Sequence, residues 1–248
     1  MAWKGECSFI DEGVVFRGAV ADNRPHRHAS LQLTLGMDGP VTILEVARGG
    51  PIRAVSGPAL VVRPDVVHAL QPGPRVLLAL LAPQTRLAQR ILRDADEDGV
   101  ARLSPDLVAG IDANGCLVDS LNGLRERSPA TPALDERLQR ALAVLDSTRS
   151  PGAIGRAAAF AGLSPSRLRA LAQVQLEVPL ARWGMLRRLQ RASRALSRGA
   201  SLAEAATDAG FADQAHLTRH MRRSFGITPA TVAALVRDIG ERFVQDGE

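Results

Sequence analysis

GFADQAHLTRHMRRSFGITP, residues 210–229, decides how the C-terminal half folds. Gly210 supplies a turn, because glycine takes positive φ without a Cβ penalty. A helix bearing Arg219 and Arg222 follows it. Just upstream, residues 201–209 read as a short helix opened by a capping box, Ser201 with Glu204. The same unit stands about 48 residues earlier, AAAFAGLSPSRLRAL against AEAATDAGFADQAHL. There Gly162 makes the turn, Ser164 is the N-cap and Pro165 takes the first helical position. PLARWGMLRRLQRASRALSRG, residues 179–199, is one long helix joining the two copies. Short helix, glycine turn and capped helix make a helix-turn-helix, whose second helix enters the major groove. One such hairpin is weak evidence, since helical bundles contain many. Two copies in a basic region are far more specific.

The charge distribution supports this reading. Residues 149–229 hold 13 Lys+Arg against 4 Asp+Glu, whereas residues 1–148 hold 16 against 18. A neutral-to-acidic half joined to a basic half is the electrostatic outline of a sensor fused to a nucleic-acid binder. A solvated arginine face on a plain helical domain would give the same count. Arginine outnumbers lysine 30 to 1, a bias that lowers the meaning of any single arginine.

The first 83 residues have another texture. Residues 14–20, 31–36, 41–47, 59–63 and 75–82 are short β-type runs between Pro and Gly turns, the pattern of a sandwich or small barrel. From Gln84 the period becomes helical, with Leu87, Ile91 and Leu92 on one face. A weaker helical stretch covers 104–126, and Ser128 to Pro132 is the best linker. The apolar stripe Leu134, Leu138, Ala141, Leu142 and Leu145 starts the helical series. The expected architecture is α+β in two domains. Residues 1–130 form a β-rich sensor half with a helical segment, and residues 131–248 a helical domain with two helix-turn-helix motifs.

Residues 210–229 resemble the C-terminal signature of the AraC/XylS transcriptional regulators, with Gly210, Phe211, Leu217, Arg219, Phe225, Gly226, Thr228 and Pro229 in register. The resemblance covers about residues 134–236 and includes the joining helix. Three positions depart from it. Met221 and Ala172 stand where an aromatic is usual, and Glu177 stands where a glycine is usual. Smaller or flexible residues there would loosen packing and let the first unit read DNA less stringently.

Members with a sensor carry a cupin-like barrel in front, so the resemblance implies a cupin-like sensor domain over residues 1–130 and an AraC-type DNA-binding domain over residues 131–248. Residues 25–32, PHRHASLQ, look like the first cupin motif, with Gln32 for the usual Glu. Residues 64–68, PDVVH, look like the second. The resemblance implies a shared site of His26, His28, Gln32 and His68, with His26, His28 and His68 as candidate ligands of a divalent metal. On a strand, H-x-H puts both imidazoles on one face, and a third from a neighbouring strand completes a set. Neutral Gln32 is a poorer ligand than a carboxylate, which favours an organic effector. Arg17, Arg24, Arg27 and Arg63 are further polar candidates, and one facing inward would favour an anion.

On the first recognition helix the groove face reads Ser166, Arg167, Ala170 and Gln173, with Arg169 beside them. On the second it reads Gln214, Ala215, Thr218, Arg219 and Arg222. Arg219 is the leading DNA contact, because arginine pairs bidentately with guanine. Arg187 and Arg191 on the joining helix are candidate phosphate contacts.

The expected partners are double-stranded DNA, an unidentified small-molecule effector and RNA polymerase. Residues 84–126 are a candidate homodimer interface. No apolar run approaches the ~18 residues of a membrane span, and the N-terminus has no signal-like apolar core. The expected place is therefore the cytoplasm. Two cysteines, Cys7 and Cys116, make no disulfide framework. A metal-dependent cupin enzyme with a helical extension is the alternative, opposed by Gln32 and by the duplicated helix-turn-helix.

Overall fold

The computed structural model describes residues 3–10, 12–21, 24–46, 50–73, 75–95, 99–109, 111, 134–148 and 152–235. Among the described residues the N-terminal part holds nine strands: β1 Lys4–Ile10, β2 Gly13–Ala19, β3 Leu31–Gly36, β4 Val41–Val46, β5 Ile52–Gly57, β6 Ala59–Val62, β7 His68–Leu70, β8 Arg75–Leu81 and β9 Val100–Arg102. They form one sheet in the order β1-β2-β8-β3-β6-β9 and another in the order β5-β4-β7. All pairings are antiparallel.

Side-chain alternation explains the layering. Leu31, Leu33 and Leu35 on β3 and Leu77 and Leu81 on β8 face one way. They pack against Leu87, Ile91 and Leu92 of helix α1, Arg86–Asp94, and Leu107 of helix α2, Pro105–Ala109. Each such leucine contributes roughly 1.5–3 kcal/mol by leaving water. The opposite face carries Phe16, Leu60, Val62 and Leu78, which meet Val41, Ile43 and Leu70 of the smaller sheet. Sheet on sheet buries the second core. The expectation of a barrel is thereby refined. Among the described residues the two sheets meet at one isolated bridge, His26 with His68, and no ladder closes them.

Four strands, β1, β5, β7 and β9, were not legible as runs. β1 and β5 are edge strands, and β5 leaves Ile52, Arg53, Ala54 and Ser56 exposed, so its alternation is blurred. β7 and β9 have only three residues each. The expected linker at 128–132, Cys116 and most of the 104–126 stretch lie outside the described residues.

The helical part follows the repeat. Its helices are α3 Glu136–Ser147, α4 Ala153–Phe160, α5 Pro165–Leu176, α6 Leu180–Ser197, α7 Leu202–Asp208 and α8 Gln214–Phe225. Ser164 caps α5 by accepting from Arg167 N, Asp213 caps α8 by accepting from His216 N, and Ser201 with Glu204 forms a complete capping box on α7. Gly162 and Gly210 turn each pair at φ 67° and 82°. The long α6 serves both units. Its Trp183 and Leu186 join Leu138, Ala157, Leu168 and Leu176, and its Leu189 and Ala192 join Ala206, Phe211 and Leu217.

The sheets and the helices touch along a polar seam. Trp183 Nε1 donates to Gln84 Oε1 at 3.0 Å, and Gln89 Nε2 donates to the Gln175 carbonyl at 3.1 Å. Arg63 pairs with Glu177 at 2.7 Å, and Arg182 pairs with Asp65.

Candidate functional site

Three of the five histidines converge. The rings of His26 and His68 lie 4.4 Å apart between centroids, His28 and His68 5.0 Å, and His26 and His28 5.8 Å. All three are buried, and their nitrogens fall within 4.8 Å of one another. His26 sits in the single bridge to His68, the first residue of β7, while His28 lies in an irregular stretch before β3. The H-x-H pair is therefore not on a regular strand, although both rings still face inward. Gln32 and Thr34 share the inward parity of β3, opposite Leu31, Leu33 and Leu35, as alternation requires.

Backbone carbonyls fix the ring tautomers. Nδ1 of His26 faces the Arg24 carbonyl at 2.9 Å, Nδ1 of His28 the Ser30 carbonyl at 3.0 Å, and Nδ1 of His68 the Val66 carbonyl at 3.1 Å. Only an N–H can meet a carbonyl, so in each neutral ring Nε2 keeps the lone pair. Burial, then the neighbouring imidazole His28, pulls His26 down to about 4. Burial likewise lowers His28 and lowers His68 further. Gln32 Oε1 lies 3.2 Å from His28 Nε2 and 3.1 Å from His68 Nε2. An oxygen facing two lone pairs is unfavourable. An amide has nearly the same shape turned over. With its NH2 toward the rings and its oxygen accepting from the Thr34 hydroxyl, every partner is complementary. A divalent cation among the Nε2 atoms would also resolve the conflict, in which case carbonyl-oriented imidazoles fit it. The donor set is then three neutral nitrogens and one amide oxygen, without a carboxylate.

Of the arginines considered for the pocket, Arg63 turns to Glu177 and Arg17 lies 3.7 Å from Glu6. Arg27 donates its backbone N–H to the Arg223 carbonyl at 3.3 Å.

On α5, Ser166, Arg167, Arg169, Ala170 and Gln173 are all exposed, while Leu168, Ala172 and Leu176 are buried. On α8, Gln214, Ala215, Arg219 and Arg222 are exposed and Thr218 is half-buried, its hydroxyl donating to the Gln214 carbonyl. Leu217 and Met221 form the buried side. Arg187 and Arg191 on α6 behave otherwise. Arg187 makes two bonds to the Asp146 carboxylate of α3, at 2.7 and 2.8 Å, and Arg191 reaches the same carboxylate at 3.2 Å.

Two family models match this arrangement. An AraC-like ligand-binding domain matches residues 13–164, and a helix-turn-helix domain matches residues 157–234. The first spans more than half of the chain. The chain belongs to the AraC family. It is a DNA-binding transcriptional regulator with an N-terminal ligand-binding domain. ToxT of Vibrio cholerae, solved with an unsaturated fatty acid bound, superposes with TM-score 0.57 at 8% identity over 95% of this chain and 96% of its own. ToxT bound to (E)-4-(8-methylnaphthalen-1-yl)but-3-enoic acid gives 0.54 at 9% identity, over 95% and 100%. The AraC-type regulator of Chromobacterium violaceum gives 0.39 at 23% identity, over 41% of this chain and 92% of its own. Among curated proteins no relative matches. The ToxT likeness establishes the two-part fold.

Within this AraC-family chain, two departures from the signature are absorbed by the core: Ala172 and Met221 are fully buried. Glu177 is a correction to the expectation of a loosened core. It is no core residue. It closes α5 in the left-handed region at φ 58°, where the usual glycine would be free of strain, and its carboxylate meets Arg63. Asp65, Asp146 and Trp3 also went unflagged, since only three-dimensional proximity gives them partners or a place at the site.

Proposed function

We propose that this regulator reads a bipartite operator in double-stranded DNA with α5 and α8, and that a small organic effector bound beside the histidine cluster sets that activity. The sensor corresponds to residues 1–130 and the DNA-binding unit to 131–248. The observation carrying the DNA half is the matched pair of capped helices, each exposing arginine on one side and packing leucine on the other around the shared α6. Arg219 and Gln214 supply base-edge contacts on α8, with Ala215, Thr218 and Arg222 beside them. Arg167, Arg169, Gln173, Ser166 and Ala170 do so on α5. Arg187 and Arg191 hold α3 to α6 and present the rest of their charge toward phosphates. In-vitro selection from random DNA tests this: wild type should enrich a two-part motif, and Arg219→Ala should lose preference within one part only.

The Gln32 amide favours an organic effector, since it can saturate two imidazoles without a cation. The convergent Nε2 atoms favour a second reading, in which His26, His28 and His68 hold a divalent transition metal. Elemental analysis of untagged protein purified without chelator separates them. Near-stoichiometric metal lost in His28→Ala supports the second.

A further inference from the structure

A cleft of about 330 Å³ opens at the seam, where the stretch before β3 meets α6 and α8. It is separate from the apolar cavity that Trp3, Phe16, Leu78 and Leu235 line, and shares only His28 with it. Arg27 lines the cleft from the sensor, Arg182 from α6, and His220 and Arg223 from α8. The backbones of Arg27 and Arg223 are joined by the 3.3 Å hydrogen bond across the seam, so their side chains leave from adjoining points. Arg223 is exposed and Arg27 and His220 are half-buried, so a solute can reach them. Met185 and Leu189 of α6 make part of the wall apolar.

The charges facing this cleft are unbalanced. Among the described residues no aspartate or glutamate lines it. Arg182 is paired with Asp65. Neither Arg27 nor Arg223 has a carboxylate partner among the described residues. His220 sits in the resulting field: burial first, and then His216, Arg223, Arg188 and Arg219, lower its pKa. Like charges at a seam repel more strongly than in bulk water, because the effective dielectric constant is lower there. A doubly charged oxyanion would balance two guanidiniums, and the planar fork of donors on each suits phosphate oxygens. The volume leaves room for more than the anion. A cavity of about 150 Å³ holds benzene, so this one accommodates a single ring together with a phosphate group.

We infer that this cleft is a second ligand site, for a small phosphomonoester. Its phosphate lies between the guanidiniums of Arg27 and Arg223, and its organic body rests on Met185 and Leu189. Such an ester carries about −1.5 to −2 charges at pH 7, which matches the two arginines. The site is additional to the effector site at the histidine cluster and stands whichever species that cluster holds. One arginine belongs to the sensor and the other to the last turn of recognition helix α8, so the bound anion fastens α8 to the sensor. A backbone phosphate of DNA is the other source of this chemistry, and the experiment separates the two.

The test is isothermal titration calorimetry of the full-length protein, without DNA, using phenyl phosphate, inorganic phosphate and benzyl alcohol as probes. Phenyl phosphate should bind saturably at a single site, about fivefold more tightly than inorganic phosphate because its ring leaves water. Benzyl alcohol should give no saturable heat. Arg27→Gln and Arg223→Gln should each weaken phenyl phosphate about tenfold, as expected for a lost charge-assisted hydrogen bond. Arg198→Gln, at an exposed arginine outside the cleft, should leave its affinity unchanged. If Arg27→Gln fails to fold, Arg223→Gln at the exposed position on α8 carries the comparison. Equal weakening by all three variants would overturn the proposal, as would equal affinity for inorganic phosphate. Binding that survives Arg223→Gln would place the phosphate elsewhere, for example on a metal at the histidines, and would overturn it too. No binding of phenyl phosphate, with a flatter salt slope of DNA binding in Arg223→Gln, would give the cleft to the DNA backbone instead.

Discussion

Glu177 ends α5 with a left-handed backbone, and its carboxylate accepts from the Arg63 guanidinium at 2.7 Å across the seam between sensor and DNA-binding helices. A second pair runs the other way, Asp65 of the sensor with Arg182 of α6. Asp65 and Glu177 are also the non-glycine residues with positive φ among those described, at 68° and 58°. Such backbones persist where their surroundings over-determine them. Asp65 further donates its N–H to the His28 carbonyl at 2.8 Å, so the seam is tied directly to the histidine cluster.

Glu177→Gly should separate stability from coupling. Relief of the left-handed strain gains about 1 kcal/mol, and loss of a partly exposed ion pair costs about as much or less. Global stability in urea should therefore change by less than about 1 kcal/mol. The seam should loosen, seen as faster proteolysis between the two parts and a smaller response of DNA affinity to effector.

Arg219→Ala should cost about 1–3 kcal/mol at one base pair and relax specificity there. Gel shifts against single-base operator variants measure it. Unchanged affinity and preference would remove α8 from the major groove.

Arg187→Ala and Arg191→Ala should lower the melting temperature as well as DNA affinity, because both side chains hold Asp146. The one that also touches phosphate should flatten the salt slope by about one unit. A loss of affinity with unchanged melting would mean that the Asp146 pairs contribute nothing to the fold.

Acid should unfold the sensor through the histidines. Burial lowers the folded-state pKa of His26 to about 4 and lowers His28 and His68 as well. The unfolded chain takes up these protons first, near pH 6.5. The stabilising contribution is thus complete above about pH 6.5 and falls as pH drops toward 4. The slope is roughly 1.4 kcal/mol per pH unit for each histidine. Urea melts at pH 7.5, 6 and 5 check it, and His26→Gln should reduce the slope by one proton.

Much of this was legible because it is local. The repeat of turn glycine, cap and arginine helix depends on neighbours in sequence, and Ser164, Ser201, Asp213, Gly162 and Gly210 do what their types predict. Parity along β3 likewise placed Gln32 opposite Leu31 and Leu33. What could not be read is what distant segments do to one another. Nothing in Glu177 foretells Arg63, and nothing in Trp3 foretells a wall shared with Leu235. Short runs between turns describe a sandwich as well as a barrel, so closure of the strands was left open by the runs themselves. Arg187 and Arg191 read as candidate phosphate contacts, and nothing near them in sequence shows that they also hold Asp146 of another helix.

The central claim is that one chain sets two recognition helices into successive major grooves. Hydroxyl-radical footprinting of the monomeric protein on its selected operator tests it most directly. Two protected patches about 10 bp apart on one face of the duplex, about 34 Å, are the predicted result, with Arg219→Ala erasing only one. A single patch, or protection of both faces, would contradict the account.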